Sequence, residues 1–526
     1  MPENTKGREL VIALEGRIDS GNSAEVEERI FRELSDKDIA GVVLDAEKLS
    51  YISSAGLRVI LRVRKNYPDM KVVNVCPEVY DILDMTGFTE MMTVERAYRV
   101  VNIEGCEEIG RGANGTIYRI DKDNVVKVYN NADALEDIRH EREVAKLALI
   151  LGIPTAISYD VVKVGESYGS VFELLNASSF SKILATEPEK MDWCVKEYVE
   201  MLKKIHSTLV PKGKLPDIKN EALKWARFMK DHIPEDAAEK LLSLVEAVPH
   251  DDHMVHGDYH TKNLMLQGDE VLLIDMDTLA IGHPIFELAA MFNAFTGFSE
   301  YDHNVIKEFQ GFDFETGRSF WLRSLAAYLG TDNEKTVLEV EDKARVVGYA
   351  RIIRRSMRHG GLETEKGRAE IEFWKERLIE VLGRVDSLVF ERNELDVEAE
   401  DANIPAVLAF LDRRLEEAGC PMKLQMQIDL AVEEIFVNIA HYAYAPGKGR
   451  VKVNCDVFDD PRYVQIRFTD SGIPYDPLEH EDPDVTLSAE ERQIGGLGIY
   501  LVKQAMDDVQ YEYKDGQNIL TLKKFF

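Results

Sequence analysis

Several groups of residues in this 526-residue chain have the types and spacing to handle phosphoryl groups. In the run KLQMQIDLAVEEIFVNIAHYAY, Glu434 and Asn438 are four residues apart, so on a helix they stand one above the other. Leu424, Ile428, Ala431, Ile435 and Ile439 mark the buried stripe of that helix, on a neighbouring face. Further on, Asp470-Ser471-Gly472-Ile473-Pro474 follows a strand, and a carboxylate buried there can accept a hydrogen bond from an adenine amino group. Gly495-Gly496-Leu497-Gly498 then opens a helix, offering bare backbone N–H groups and a helix N-terminus to phosphates. Near the other end, Ser53 and Ser54 lie between a buried strand and an amphipathic helix. A serine there can simply cap the helix. A phosphate on it would add roughly −1.5 to −2 charge at the helix start and expel a partner fitted to a neutral hydroxyl.

A further set lies between these. Gly110, Gly112 and Gly115 occur in GRGANGT between two strand-like runs, and Lys127 follows in VVKVY. Glu143, in the helix RHEREVAKLALIL, is placed to pair with Lys127, with Glu141 as the alternative. The run His256-Gly257-Asp258-Tyr259-His260-Thr261-Lys262-Asn263 and then Asp275 in LLIDMD complete an ordered series. It reads as a glycine loop over phosphates, a lysine held by a glutamate, a catalytic aspartate, and an Asn and an Asp for Mg²⁺.

The elements that must position these residues divide the chain in three. Residues 1–100 alternate strands and helices, which predicts a small α/β domain. Residues 101–394 open β-rich and become mainly helical, and residues 395–526 give two helices, strands, a glycine-rich stretch with a helix, and a final strand pair. A content of 45% hydrophobic and 9% aromatic residues supplies packed cores and excludes wholesale disorder. With 95 acidic against 64 basic residues, the net charge of −31 argues against nucleic acid or an anionic membrane as partner. No apolar run is long enough to span a bilayer and the N-terminus lacks signal-peptide features. Five scattered cysteines without a CxxC pair point to a reducing cytoplasm.

Each segment resembles a known family. In residues 1–100, Leu44-Asp45 closing a strand, Ser54-Ala55-Gly56-Leu57 and the later MTGF resemble the anti-sigma factor antagonist (STAS) domain. That resemblance implies Ser54 as phosphoacceptor, although Ser53 stands where the family often has Asp. Residues 105–390, with HGDxHxxN and GHPIFELA, resemble the aminoglycoside phosphotransferase and choline kinase group. A protein-kinase-like two-lobed domain is implied, with Asp258 orienting a substrate hydroxyl, Asn263 and Asp275 holding Mg²⁺, and Lys127 on phosphates. Residues 400–526 resemble the histidine-kinase-like ATPase fold of the anti-sigma factor serine kinases, an α/β sandwich. There the resemblance implies Glu434 as general base, Asn438 on Mg²⁺, Asp470 on adenine, and Gly472, Gly496 and Gly498 in the nucleotide loops. Residues 479–493 would be the lid.

The expected fold is thus multidomain, α/β and α+β. The expected function is an ATP- and Mg²⁺-dependent regulatory kinase of a partner-switching pathway, acting on a STAS-domain serine in cis or trans, with STAS or sigma-factor-type proteins as partners. Joining acceptor and kinase in one chain raises their effective concentration. The rival readings are a small-molecule hydroxyl phosphotransferase regulated by the flanking domains, and a nucleotide-gated scaffold without turnover. Assembly with further copies of the chain is left open.

Overall fold

The computed structural model describes residues 8–35, 39–112, 115–131, 134–479 and 497–526. The chain forms two compact units: residues 1–143 with 156–175, and residues 144–155 with 176–526.

The first unit holds two sheets. Strands Arg8–Ile18, Ile39–Ile52, Lys71–Val75 and Thr93–Arg96 lie in that order, each parallel to its neighbour. Helices Ser23–Leu34, Ser54–Asn66 and Pro77–Met85 connect them. Parallel strands need such crossovers, and their cores read as apolar runs. Ile12, Leu14, Val42, Leu44, Val59, Ile60, Val72 and Val79 accordingly pack together out of water. The second strand does not close at Asp45 as its sequence suggests. It continues to Ile52, because Lys48 to Ile52 stay paired, through register shifts, with Glu15 to Ile18. The other sheet has six strands, ordered Arg99–Val100, Asp160–Val164, Ser167–Glu173, Asn124–Tyr129, Gly115–Arg119 and Glu107–Arg111. All its pairs are antiparallel except the first.

Among the described residues the second unit combines a helical body, which carries one two-stranded and one three-stranded sheet, with a five-stranded sheet. Helix Ile285–Phe295 is buried almost all round, and helices Phe314–Leu329, Glu334–Arg358 and Glu365–Leu382 belong to the same apolar core. Strands Glu394–Glu398, Arg450–Asp459, Arg462–Asp470, Gln517–Phe525 and Asp508–Lys514 then form an antiparallel sheet in that order. Along Arg450–Asp459 the two-residue period decides which face each side chain meets. Val451, Val453 and Cys455 join the core made with helices Ile404–Glu417 and Met422–Asn438. Asn454 and Asp456 point the other way, into the end of helix Phe314–Leu329. Asn454 donates to the Gly330 carbonyl at 2.9 Å, and Asp456 accepts from Asn393 at 2.9 Å and from the Asp332 N–H at 3.2 Å. All five cysteines are free thiols. Among the described residues, no helix is long and apolar enough to cross a membrane.

Candidate functional site

The two N-terminal serines divide their roles. Ser53 is the N-cap of helix Ser54–Asn66, in extended conformation, and its Oγ accepts the Ala55 N–H at 3.2 Å. Ser54 is the first helical residue and exposed, and among the described residues its hydroxyl makes no hydrogen bond. Gly56 lets the helix start against the first strand. A Cβ there would lie 2.8 Å from Ile18 Cγ2 and 3.1 Å from the Ile18 carbonyl oxygen.

In the six-stranded sheet, Gly110 and Gly115 sit on a strand pair and the Gly112 N–H donates to the Gly115 carbonyl at 2.9 Å. Ala113 and Asn114 of the same run fall outside the described residues. A side chain at Gly115 would meet the Val128 carbonyl oxygen at 2.4 Å, so the neighbouring strand excludes one. Lys127 Nζ lies 3.0 and 3.1 Å from the two carboxylate oxygens of Glu141. The Tyr129 hydroxyl donates to the same carboxylate at 2.5 Å. Glu143 is therefore corrected to Glu141 as the lysine's glutamate. Two residues along a helix turn the side chain by about 200°, and Glu143 is exposed where Glu141 is half-buried.

In the helical body, residues 256–263 form a loop held from beneath. The Glu287 carboxylate is fully buried and accepts the His256 N–H and, at 3.0 Å, the Gly257 N–H. Arg351 donates to the Gly257 carbonyl at 2.9 Å, and the Thr278 hydroxyl to that of His256 at 2.7 Å. Gly257 needs its φ of +81°, and a Cβ would lie 2.7 Å from the Thr278 carbonyl oxygen. Asn263 Nδ2 donates to the Asp258 carbonyl at 3.0 Å, the Ile274 N–H donates to the Asn263 carbonyl at 2.9 Å, and the next residue, Asp275, takes a left-handed φ of 64°. The chain pairing thus brings Asp258, Asn263 and Asp275 into one neighbourhood. Burial alone would raise the Asp258 pKa. The His260 ring, 3.5 Å from Oδ2, and the Arg351 guanidinium outweigh it and hold the carboxyl well below the usual range. Glu287 is also held low against its burial, chiefly by His206 and His256. Neither Glu287 nor Arg351 was among the sequence candidates. For Glu287 the available signal was the one charged residue in the run IFELAAMFNAF.

In the last sheet and its helices, Glu434 and Asn438 lie on helix Met422–Asn438, both half-buried, beside the buried Ile428, Ala431 and Ile435. The chain continues past Asn438 as a π-helical turn over Ile439–Ala443. Gly498, at the start of helix Leu497–Ala505, abuts this pair. A Cβ on it would lie 2.3 Å from Glu434 Oε2 and 3.9 Å from Asn438 Nδ2. Asp470 is 6% exposed, and its Oδ1 accepts from the Gly472 N–H and from Asn518 Nδ2, each at 2.9 Å. Among the described residues Oδ2 takes no hydrogen bond. The Ile473 N–H donates to the Ala443 carbonyl at 2.8 Å, and a Cβ on Gly472 would collide with that carbonyl oxygen at 2.3 Å. The Asp470 loop is thereby strapped to the turn that follows Asn438. Gly496 and most of residues 479–493 lie outside the described residues.

Comparison with known proteins gives three matches along the chain. Residues 397–524 match the histidine kinase-like ATPase domain, residues 105–320 the phosphotransferase enzyme family and residues 2–100 the STAS domain. The serine/threonine-protein kinase BtrW of Bordetella bronchiseptica is 30% identical over 100 residues, covering 19% of this chain and 70% of that protein. The chain belongs to the histidine kinase-like ATPase family. The serine-protein kinase RsbW of Listeria monocytogenes is 28% identical over 111 residues, 20% of this chain and 69% of that kinase. The ADP-bound aminoglycoside phosphotransferase APH(2'')-Ib matches 52% of this chain and 93% of its own at 15% identity, with a TM-score of 0.38. By the family matches at residues 105–320 and 2–100, this member of the ATPase family also carries a phosphotransferase domain and a STAS domain, and it is an ATP-dependent kinase or phosphotransferase. The residues at the ATPase site fit a nucleotide. Among the described residues a buried carboxylate presents an unengaged oxygen, and a side chain at Gly472 or Gly498 would meet the Ala443 carbonyl or the Glu434 carboxylate.

Proposed function

We propose that the chain is the regulatory serine kinase of a partner-switching pathway, with domains at 1–100, 101–394 and 395–526. Its ATPase domain phosphorylates Ser54 of its own STAS domain, in cis or between chains. The observation that carries this reading is the division of labour between the serines. Ser53 already caps the helix, so the exposed Ser54 hydroxyl has no structural duty that a phosphate would disrupt. A serine hydroxyl needs a base to attack at neutral pH, and Glu434 is that base. Ser54 Oγ takes the γ-phosphoryl group of ATP, its proton passes to Glu434, and ADP leaves. Asp470 accepts from the adenine amino group. Asn438 holds Mg²⁺, which supplies neutralisation of phosphate charge. STAS-domain and sigma-factor-type regulators are the partners, and a phosphate at the helix start decides which of them stays bound.

A second reading gives the middle domain its own acceptor, a small hydroxyl compound. It rests on the bracing of the Asp258 loop by Glu287 and Arg351. On this reading Asp258 receives the hydroxyl proton, and Asn263 and Asp275 hold Mg²⁺.

The decisive experiment is phosphopeptide mapping after incubation of the full chain with magnesium and ATP. Label at Ser54 is expected to persist in Asp258→Ala and to vanish in Glu434→Ala and Ser54→Ala. Mixing the last two restores it only by transfer between chains. Ser54 still labelled in unmixed Glu434→Ala would remove the ATPase domain as donor.

A further inference from the structure

Four arginines, Arg351, Arg354, Arg355 and Arg358, occupy the last two turns of helix Glu334–Arg358. Their spacing of i, i+3, i+4 and i+7 places them on one face, a row roughly 10 Å long. The row begins at the Asp258 loop, where Arg351 donates to the Gly257 carbonyl. In a chain of 95 acidic residues, such a row should find carboxylates. Arg351 answers the Asp258 and Glu287 carboxylates through space, whereas Arg354, Arg355 and Arg358 are in no ion pair among the described residues. Arg345, on the same helix, shows the ordinary outcome: it is paired with Glu300 at 2.8 Å.

Two of these guanidinium groups also lie over aromatic rings. Arg351 lies 5.4 Å from the Trp225 ring centre and Arg355 lies 5.8 Å from that of Phe298. A stacked guanidinium keeps its N–H fork oriented without spending it on a carboxylate. The helix dipole favours cations in a last turn, which accounts for Arg355 and Arg358. It does not account for Arg354, which lies before that turn; Arg351, also before it, answers Asp258 and Glu287.

We infer that this row binds the acceptor of the middle domain, and that the acceptor is a small hydroxyl compound already bearing an oxyanion, a phosphate or a carboxylate. The inference rests on the reading that the middle domain transfers phosphoryl groups. The oxyanion is gripped by Arg354, Arg355 and Arg358, in the forked geometry guanidinium groups use for phosphate and carboxylate. The free hydroxyl lies towards Asp258. Its oxygen bonds to the γ-phosphorus of ATP, the bond from that phosphorus to the bridging oxygen breaks, the proton goes to Asp258, and ADP leaves.

The test is calorimetric titration of the full chain, with its nucleotide sites saturated by a non-hydrolysable ATP analogue. The probes are glucose 6-phosphate, gluconate, glucose and glucosamine. At least one anionic probe is expected to bind about tenfold or more tightly than both uncharged and cationic sugars, a gap of about 1.4 kcal/mol. Which anion it is tells phosphate from carboxylate. Arg355→Glu and Arg358→Glu should each lose that preference, and Arg355→Lys should keep part of it. Equal or tighter binding of glucose or glucosamine overturns the inference, as does binding of none of the four. Anion binding unchanged in Arg355→Glu, with nucleotide affinity falling instead, overturns it too. ADP release reads the underlying assumption separately. If a bound anion never accelerates release above that of Asp258→Ala, the transfer reading fails while the anion site stands.

Discussion

The Asp258 loop and the Glu434 helix reach an ordered set of polar side chains by opposite means. Asp258 sits on a loop, which has no hydrogen-bond ladder of its own. A buried carboxylate, a guanidinium and a threonine hydroxyl hold its backbone from other parts of the fold. Glu434 and Asn438 are spaced by the helix itself, and a Cβ on Gly498 would lie 2.3 Å from Glu434 Oε2. A loop site is therefore exposed to loss of distant groups, and a helix site to anything that crowds one face.

The largest effect should come from the brace. Glu287→Ala leaves the His256 and Gly257 N–H groups buried without an acceptor, a loss of about 3–5 kcal/mol. The denaturant midpoint should fall accordingly, and ADP release by the middle domain should be lost. Glu287→Gln, which keeps one acceptor oxygen, should cost less.

Gly498→Ala probes the other mode. Its methyl would force the Glu434 carboxylate to move, and a displacement of about 1 Å costs roughly 100-fold in rate. Ser54 phosphorylation should drop by that order with the denaturant midpoint little changed. Equal loss at both sites would show that the two are not independent.

A smaller effect separates the two glutamates of one helix. Glu141→Gln removes the carboxylate facing Lys127 and should raise the KM for ATP of the middle domain about tenfold, while Glu143→Gln leaves it unchanged.

The smallest effect is in helix Met422–Asn438 of the ATPase domain. Burial and then the neighbouring Asp412 raise the Asp429 carboxyl to about 6. A group whose folded pKa is raised favours folding while protonated, and that contribution is lost as pH rises from about 4 through 6. Asp429→Asn should therefore stabilise the chain at pH 8 but not at pH 4, by about 1 kcal/mol once its solvent exposure is allowed for. Denaturant midpoints at the two pH values check it.

What the sequence by itself determined is whatever depends on local period. The 3.6-residue repeat placed Glu434 and Asn438 beside the stripe of Ile428, Ala431 and Ile435, and the apolar runs marked the first three strands of the parallel sheet but not Thr93–Arg96. Two adjacent serines before a helix announced a cap and a second hydroxyl, and only the family resemblance pointed to Ser54 as the second. What only the tertiary structure decided depends on partners far along the chain. Glu287 is 30 residues from Gly257 and Arg351 is 94 residues away, so no local pattern joins them. Glu141 prevailed over Glu143 because the face a helix turns toward a sheet is set by packing. The second strand ran past Asp45 because the first strand continued beside it. The face of the ATPase sheet carrying Asn454 and Asp456 met another part of the same unit, which alternation alone would assign to water. Local hydrogen bonds and side-chain period are written within a few residues; the groups that satisfy a buried loop are supplied by the whole fold.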